Sequence, residues 1–229
     1  MMNEKKNEAE AVSELLTVVR RLRGEGGCPW DRAQTHESLR RYLLEETYEV
    51  LEALDGKDAV GLREELGDLL LQILFHAELS REAGEFDLAD IAHDEVDKMV
   101  RRHPHVFGNA TAEEALADWE AGKSREKGRR TLADRLSSVP LALPALLRAQ
   151  KYMEKCTGEE CAPLPPRDAQ NAILSLSGVL NSPDPLGAAG DFLLAAVAAF
   201  ASVGIECEGA LTYAVNRFFE GVKKAEKAL

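Results

Sequence analysis

The sequence lacks any long apolar run. Its longest mainly apolar stretch, Phe192 to Ile205, falls short of the ~20 residues that cross a bilayer, so no membrane partner is expected. Cysteine is scarce: Cys28, Cys156, Cys161 and Cys207 form no C-x-x-C pair, and no histidine sits beside Cys156 and Cys161. A zinc site is therefore not expected there, and reduced thiols are. Positive charge is in deficit, with 28 Lys and Arg against 40 Asp and Glu and a formal net charge of −12. An acidic surface repels polyanions, which argues against a nucleic-acid partner. It does not repel a small phosphate ligand whose charge is screened by metal. The first ten residues, Met1 to Glu10, are charged and carry no apolar leader core, so a cytoplasmic protein is expected. No alternating strand pattern stands out either, and the fold class expected is all-α.

What is present is helical periodicity. Helices are expected over Val12–Leu22, Leu39–Leu54, Leu62–Leu79, Leu88 to about Arg102, and Glu113–Lys127. Gly24, Gly26, Gly27 and Pro29 break the first, Gly56 stops the second, Gly84 ends the third, and Pro104 closes the fourth. The third is apolar nearly all round and is expected to be buried. Residues 128 to 143 read as a connector, 146 to 155 as helix, 157 to 168 as a proline-rich loop, and the remainder as alanine-rich helix. With 229 residues the chain can form two small domains, expected here at 1–135 and 136–229. The segment Glu65-Leu-Gly-Asp-Leu-Leu70 is echoed by Ala188-Ala-Gly-Asp-Phe-Leu193, so the second half reads as a worn copy of the first. In that copy only Asp191 keeps an acid, and Leu174 to Gly178, opposite Glu45 to Glu49, has none.

The chemistry concentrates in carboxylates. Glu45, Glu46 and Glu49 lie on the second helix, where i, i+3 and i+4 spacing makes them neighbours. Like charges so placed repel, and a cation would remove that repulsion. On the third helix Glu65, Asp68, Gln72 and His76 form one polar stripe among Leu66, Leu69, Leu70, Ile73, Leu74 and Phe75. Burying a carboxylate without a counter-charge is costly, and metal bound between two acidic helices offsets that cost. Oxygen-only ligands suit Mg²⁺, with Mn²⁺ as a substitute, rather than zinc. Lys98, Arg101 and Arg102 end the fourth helix and are suited either to the helix dipole or to phosphate oxygens. Lys123 and Lys127 are further cationic candidates. Trp30, in Cys28-Pro-Trp30-Asp31, is either a hydrophobic plug or a base-stacking surface. His103 and His105 read as a helix-terminus feature rather than metal ligands.

Together these residues resemble the MazG family of nucleoside triphosphate pyrophosphohydrolases. The resemblance rests on Glu45-Glu46-x-x-Glu49 followed by Glu65-x-x-Asp68, and on Gly27-Cys-Pro-Trp-Asp31, Gln34-Thr35, Leu44 to Val50 and Arg101-Arg-His-Pro-His-Val-Phe107, in order between about Leu15 and Lys127. It implies an all-α bundle completed by a second copy of the chain. It also implies Mg²⁺-dependent cleavage of a nucleoside triphosphate to monophosphate and pyrophosphate, as in cleansing of nucleotide pools. By the same resemblance Glu46, Glu49, Glu65 and Asp68 are metal ligands, and Lys98 and Arg102 face the triphosphate. Glu45 or Glu49 would be the base that takes the proton of the attacking water. A second half without its acids would leave catalysis to the first. The alternative reading is a nucleotide-binding helical module with little or no turnover. A ferritin-like di-iron protein would need two Glu-x-x-His motifs, and only Asp90-x-x-His93 comes near.

Overall fold

The computed structural model describes residues 7–114, 131–156, 178–179 and 181–226. The described residues are mainly helical, with no strand among them, as an all-α chain requires. The chain divides into two compact units, Met1–Ala115 and Leu116–Leu229.

The described helices of the first unit include α1 (Glu8–Arg23), α2 (Pro29–Arg32), α3 (His36–Asp55), α4 (Ala59–Ala83), α5 (Leu88–Arg102) and α6 (Pro104–Phe107). Local chemistry sets their ends. Asn7 and Glu10 form a capping box that starts α1 earlier than its apolar stripe suggests, and Arg20, Arg21 and Arg23 meet the negative end of its dipole. Thr35 and Ser38 cap α3, Asp58 caps α4, and Asp87 with Asp90 caps α5. Each such cap satisfies backbone donors that the first turn leaves open, and losing one costs about 1 kcal/mol. The single turn α2 falls in what reads from sequence as loop, with Pro29 at its first position, where a missing N–H does no harm.

The turn between α3 and α4 differs from expectation in one detail. Gly56 keeps a right-handed conformation (φ −73°), and the left-handed residue is Lys57, at φ 53°. A side chain at that φ is strained. Lys57→Gly is therefore expected to stabilise the protein by about 0.5–1 kcal/mol, measured as a rise in the denaturation midpoint at unchanged m-value. An unchanged or lower midpoint would show that the turn carries no strain.

This short turn folds α4 back along α3, and α1 packs on the same seam. The core is Val19, Leu39, Leu74 and Phe75, flanked by Leu15, Leu16, Tyr42, Leu70, Leu71, Leu79 and Leu88. α4 is not buried all round as its composition suggests. Leu66 and Ile73 stay exposed, as do Leu44, Tyr48, Leu51 and Leu54 on α3. Among the described residues these positions on the two helices stay uncovered.

The second unit contains α7 (Leu132–Ser137), α8 (Ala145–Lys155), α9 (Pro185–Ser202) and α10 (Cys207–Glu226). α7 lies inside the expected connector, and a Thr131–Asp134 capping box nucleates it. The alanine-rich remainder is not one continuous helix: Gly204 turns left-handed (φ 78°) and separates α9 from α10. Met153, Val197, Ala198 and Cys207 form the core, and Gln150 accepts a hydrogen bond from the Cys207 amide at 2.9 Å. α9 starts at Pro185, ahead of the apolar run, and its 18 residues with mean hydropathy 1.5 meet the length and apolarity of a membrane span. Here it contributes Val197 and Ala198 to the core of its unit. Cys28 and Cys207 are free thiols, and Cys161 lies outside the described residues.

Candidate metal and nucleotide site

The antiparallel packing of α3 on α4 brings three acids together. Ligand oxygens of Glu46, Glu49 and Glu65 all lie within 4.8 Å of one another. Glu46 and Glu49 are adjacent because they are one turn apart on α3. Glu65 joins them from α4, which only tertiary packing can arrange. Glu46 and Glu65 are half-buried and Glu49 is exposed.

The electrostatics record the crowding. Burial, a hydrogen bond with Glu49 and the charges of Asp68, Glu49 and Glu65 push the Glu46 carboxyl up to about 7. Burial, followed by the charges of Glu49, Glu64, Asp68 and Glu52, also raises Glu65. Asp68 thus acts electrostatically on both, one turn beyond Glu65. It is exposed, contrary to the burial that the apolar setting of α4 suggests. Glu45 is also exposed, about 100° around α3 from Glu46. Clustered carboxylates of this kind are the donor set that hard divalent cations take.

The rest of the α4 stripe points along the same seam. Gln72 is buried, and its Oε1 has no hydrogen-bond partner among the described residues, as is true of His76 Nε2. His76 Nδ1 lies 2.7 Å from His36 Nδ1, the two rings stack, and His36 Nε2 is 3.4 Å from the Ser80 hydroxyl. Burial, and then the neighbouring His36, lowers the His76 pKa. His36 carries no sequence signal for this pairing, since its partner is 40 residues away.

α5 packs against α4 and carries the cationic candidates. Lys98 and Arg102 are half-buried and Arg101 is exposed. Lys98 is ion-paired with Glu95 one turn earlier. His103 Nδ1 donates to the Met99 carbonyl at 2.7 Å, which makes it a helix-terminus group, as its position suggests. Lys123 and Lys127 lie outside the described residues.

Trp30 is not a buried plug. It is 53% exposed and meets Tyr42 edge-on, with ring centroids 5.8 Å apart. Tyr42 lies one turn before Glu46 on α3, and the Arg41 guanidinium sits 4.3 Å from its ring centre. A half-exposed indole therefore lies against Tyr42, one turn of α3 before Glu46.

Comparison with known proteins places this region in context. The MazG nucleotide pyrophosphohydrolase domain matches residues 34–107, which include all four proposed ligands. The chain is 36% identical over 220 residues to a Thermotoga maritima protein named nucleoside triphosphate pyrophosphohydrolase/pyrophosphatase MazG, covering 94% of this chain and 86% of that protein. It is 48% identical over 149 residues to the nucleoside triphosphate pyrophosphohydrolase of Escherichia coli (strain K12), covering 63% of this chain. That match spans 57% of the Escherichia coli protein. A Mycobacterium tuberculosis nucleoside triphosphate pyrophosphohydrolase is 36% identical over 224 residues, or 96% of this chain and 59% of that protein.

Proposed function

The chain belongs to the MazG nucleotide pyrophosphohydrolase family, and on that premise we propose that it hydrolyses nucleoside triphosphates to monophosphate and pyrophosphate with Mg²⁺, in a cytoplasmic nucleotide-cleansing role. The observation that carries the reading is the convergence of Glu46, Glu49 and Glu65 oxygens within 4.8 Å across two helices. The strained charge state of Glu46 supports a resident cation, and the all-oxygen donors favour Mg²⁺, or Mn²⁺ in its place. Asp68 completes the ligand set. When bound, the metal supplies positive charge to phosphate oxygens and makes a nearby water more acidic.

The chain's own residues then have distinct tasks. Glu45 or Glu49 accepts a proton from the attacking water at a carboxylate oxygen. The water oxygen forms a bond to the α or β phosphorus, the oxygen–phosphorus bond between them breaks, and pyrophosphate and monophosphate separate. Lys98, Arg101 and Arg102 neutralise charge on the departing phosphates, which requires Lys98 to exchange Glu95 for phosphate. Trp30 offers its open face to the base. Catalysis rests with the first unit, because at the positions echoing Glu65 and Asp68 the second has Ala188 and Asp191. The exposed Leu44, Tyr48 and Leu51 of α3 and Leu66 and Ile73 of α4 support a homodimer in which a second copy covers this face.

Product analysis tests the proposal. The protein is incubated with Mg²⁺ and a panel of ribo- and deoxyribonucleoside triphosphates. Monophosphate and pyrophosphate in equal amounts, abolished by a chelator, are expected. Orthophosphate and diphosphate as products, or turnover indifferent to the chelator, would overturn it. Nucleotide binding without any product would favour a non-enzymatic module.

A further inference from the structure

Arg23 is an arginine whose position the carboxylate chemistry does not explain. It sits at the end of α1, its side chain is only 5% exposed, and it forms a two-pronged ion pair with Glu82 of α4, at 3.0 and 2.7 Å. Its remaining terminal nitrogen donates to the main-chain carbonyls of Asp31 at 2.7 Å and Gln34 at 3.3 Å. Gln34, itself buried, continues the chain of contacts. Its amide nitrogen donates to the Trp30 carbonyl at 3.0 Å, and its amide oxygen accepts from the Ser38 hydroxyl at 2.7 Å in the first turn of α3. Asp31 within the Trp30 turn and Gln34 just after it are thus tied to α1, α3 and α4. The indole these bonds hold is itself half-exposed, with Tyr42 against it and Glu46 one turn further on. A turn of four residues cannot hold an exposed aromatic in one place by packing alone, and buried charge-assisted hydrogen bonds to main chain do so at fixed geometry.

We propose that Arg23, anchored by Glu82, is a positioning residue that fixes the Trp30 turn so that the indole presents a preset stacking face to the nucleotide base. The inference rests on the nucleotide-hydrolase reading above and adds to it a determinant of base binding remote from the phosphates. Lysine cannot replace arginine here, because a single ammonium cannot grip a carboxylate with two prongs and bridge two carbonyls as well.

The test uses the full chain with Trp119→Phe, which leaves Trp30 as the one remaining tryptophan of the two. Dissociation constants with Mg²⁺ are measured from Trp30 fluorescence for α,β-methylene analogues of ATP, GTP, CTP and UTP. Tripolyphosphate, which lacks a base, is measured by calorimetry. The variants are Arg23→Lys, Glu82→Gln, Trp30→Ala and the Arg23→Lys/Trp30→Ala pair, with nucleotide binding to the Trp30→Ala proteins also read by calorimetry. Arg23→Lys is expected to weaken the best-bound analogue about five- to tenfold, with tripolyphosphate changed less than about twofold. Glu82→Gln is expected to show the same pattern in weaker form. Adding Arg23→Lys to Trp30→Ala is expected to cost nothing further, because the group being positioned is gone. Unchanged nucleotide binding in Arg23→Lys, equal loss for tripolyphosphate, or a full additional loss in the Trp30→Ala background would each overturn the proposal. If Arg23→Lys does not fold, Glu82→Gln decides by the same comparison. Failure of the hydrolase reading is seen separately, as wild-type protein that binds the analogues but releases no pyrophosphate from the parent triphosphates.

Discussion

Turnover is expected to fall about a thousandfold when Glu46 becomes glutamine, and the metal-free protein is expected to become more stable at the same time. Both effects have one cause. Glu46 is half-buried, bonded to Glu49, and close enough to Asp68 and Glu65 for its carboxyl to titrate at about 7 instead of 4.5. A folded-state pKa raised in this way means that the folded protein holds the proton more tightly than the unfolded chain. The contribution of Glu46 to stability therefore falls as pH rises from about 4.5 to about 7 and stays low above that. Glutamine keeps the shape and removes the charge, so above pH 7 the variant regains part of that loss, about 1 kcal/mol once solvent screening at this partly open site is allowed for. The same amide is a poor Mg²⁺ ligand, and loss of a directly acting electrostatic group typically costs two to three orders of magnitude in rate. Asp68→Asn is expected to lose turnover similarly, with unchanged helicity by circular dichroism. Thermal melts in chelator at pH 5 and pH 8, beside pyrophosphate release with Mg²⁺, check both halves. Wild-type turnover in both amides would remove these residues from the site. A Glu46→Gln protein no more stable than wild type at pH 8 would refute the electrostatic account.

Glu78→Ala is expected to produce the largest loss of stability, about 2–3 kcal/mol. Glu78 is 2% exposed. It accepts from Arg20 of α1 at 3.1 Å and from Arg81 on its own helix at 2.8 and 2.5 Å. Burial alone would raise its pKa, but the hydrogen bonds and charges of Arg81 and Arg20 outweigh that and hold it below 4.5. The figure sits at the low end for a broken buried pair because the Arg20 and Arg81 side chains are nearly half-exposed and recover water when the carboxylate is removed. The pH dependence has the opposite sign to that of Glu46. A depressed carboxyl stabilises the fold above its unfolded pKa and loses that contribution as pH falls below about 4.5 through its folded value. The difference between wild type and Glu78→Ala in denaturant melts is therefore expected to shrink between pH 5 and pH 3. A gap that is constant with pH would assign the loss to packing instead of charge.

These two acids mark how much of the protein is legible in its sequence. Glu46 and Glu49 are found by counting along one helix, and Glu65 with Asp68 by counting along the next. Glu78 sits on the same α4, inside an apolar pattern, and nothing local distinguishes it as the partner of Arg20, 58 residues away. Arg23 is similar: at the end of α1 it reads as a cation suited to the helix dipole, while its contacts are to Glu82, Asp31 and Gln34. The unexpected α7 has a different origin. It is short and carries too little apolar periodicity to stand out, and its start is signalled only by Thr131 and Asp134.

The sequence by itself determined the helical class, the main helices of the first unit and the two acidic motifs, because capping and 3.6-residue periodicity act over a few residues. It also carried the family resemblance, since those motifs keep their order along the chain. Only the tertiary structure decided that Glu65 joins Glu46 and Glu49, that Asp68 is open, that His36 stacks on His76, and that Trp30 stands exposed on a turn gripped by Arg23. Those facts depend on which faces of separate helices meet, and that is set by burial of Val19, Leu39, Leu74 and Phe75 together in one core, a collective balance that no local window of sequence contains.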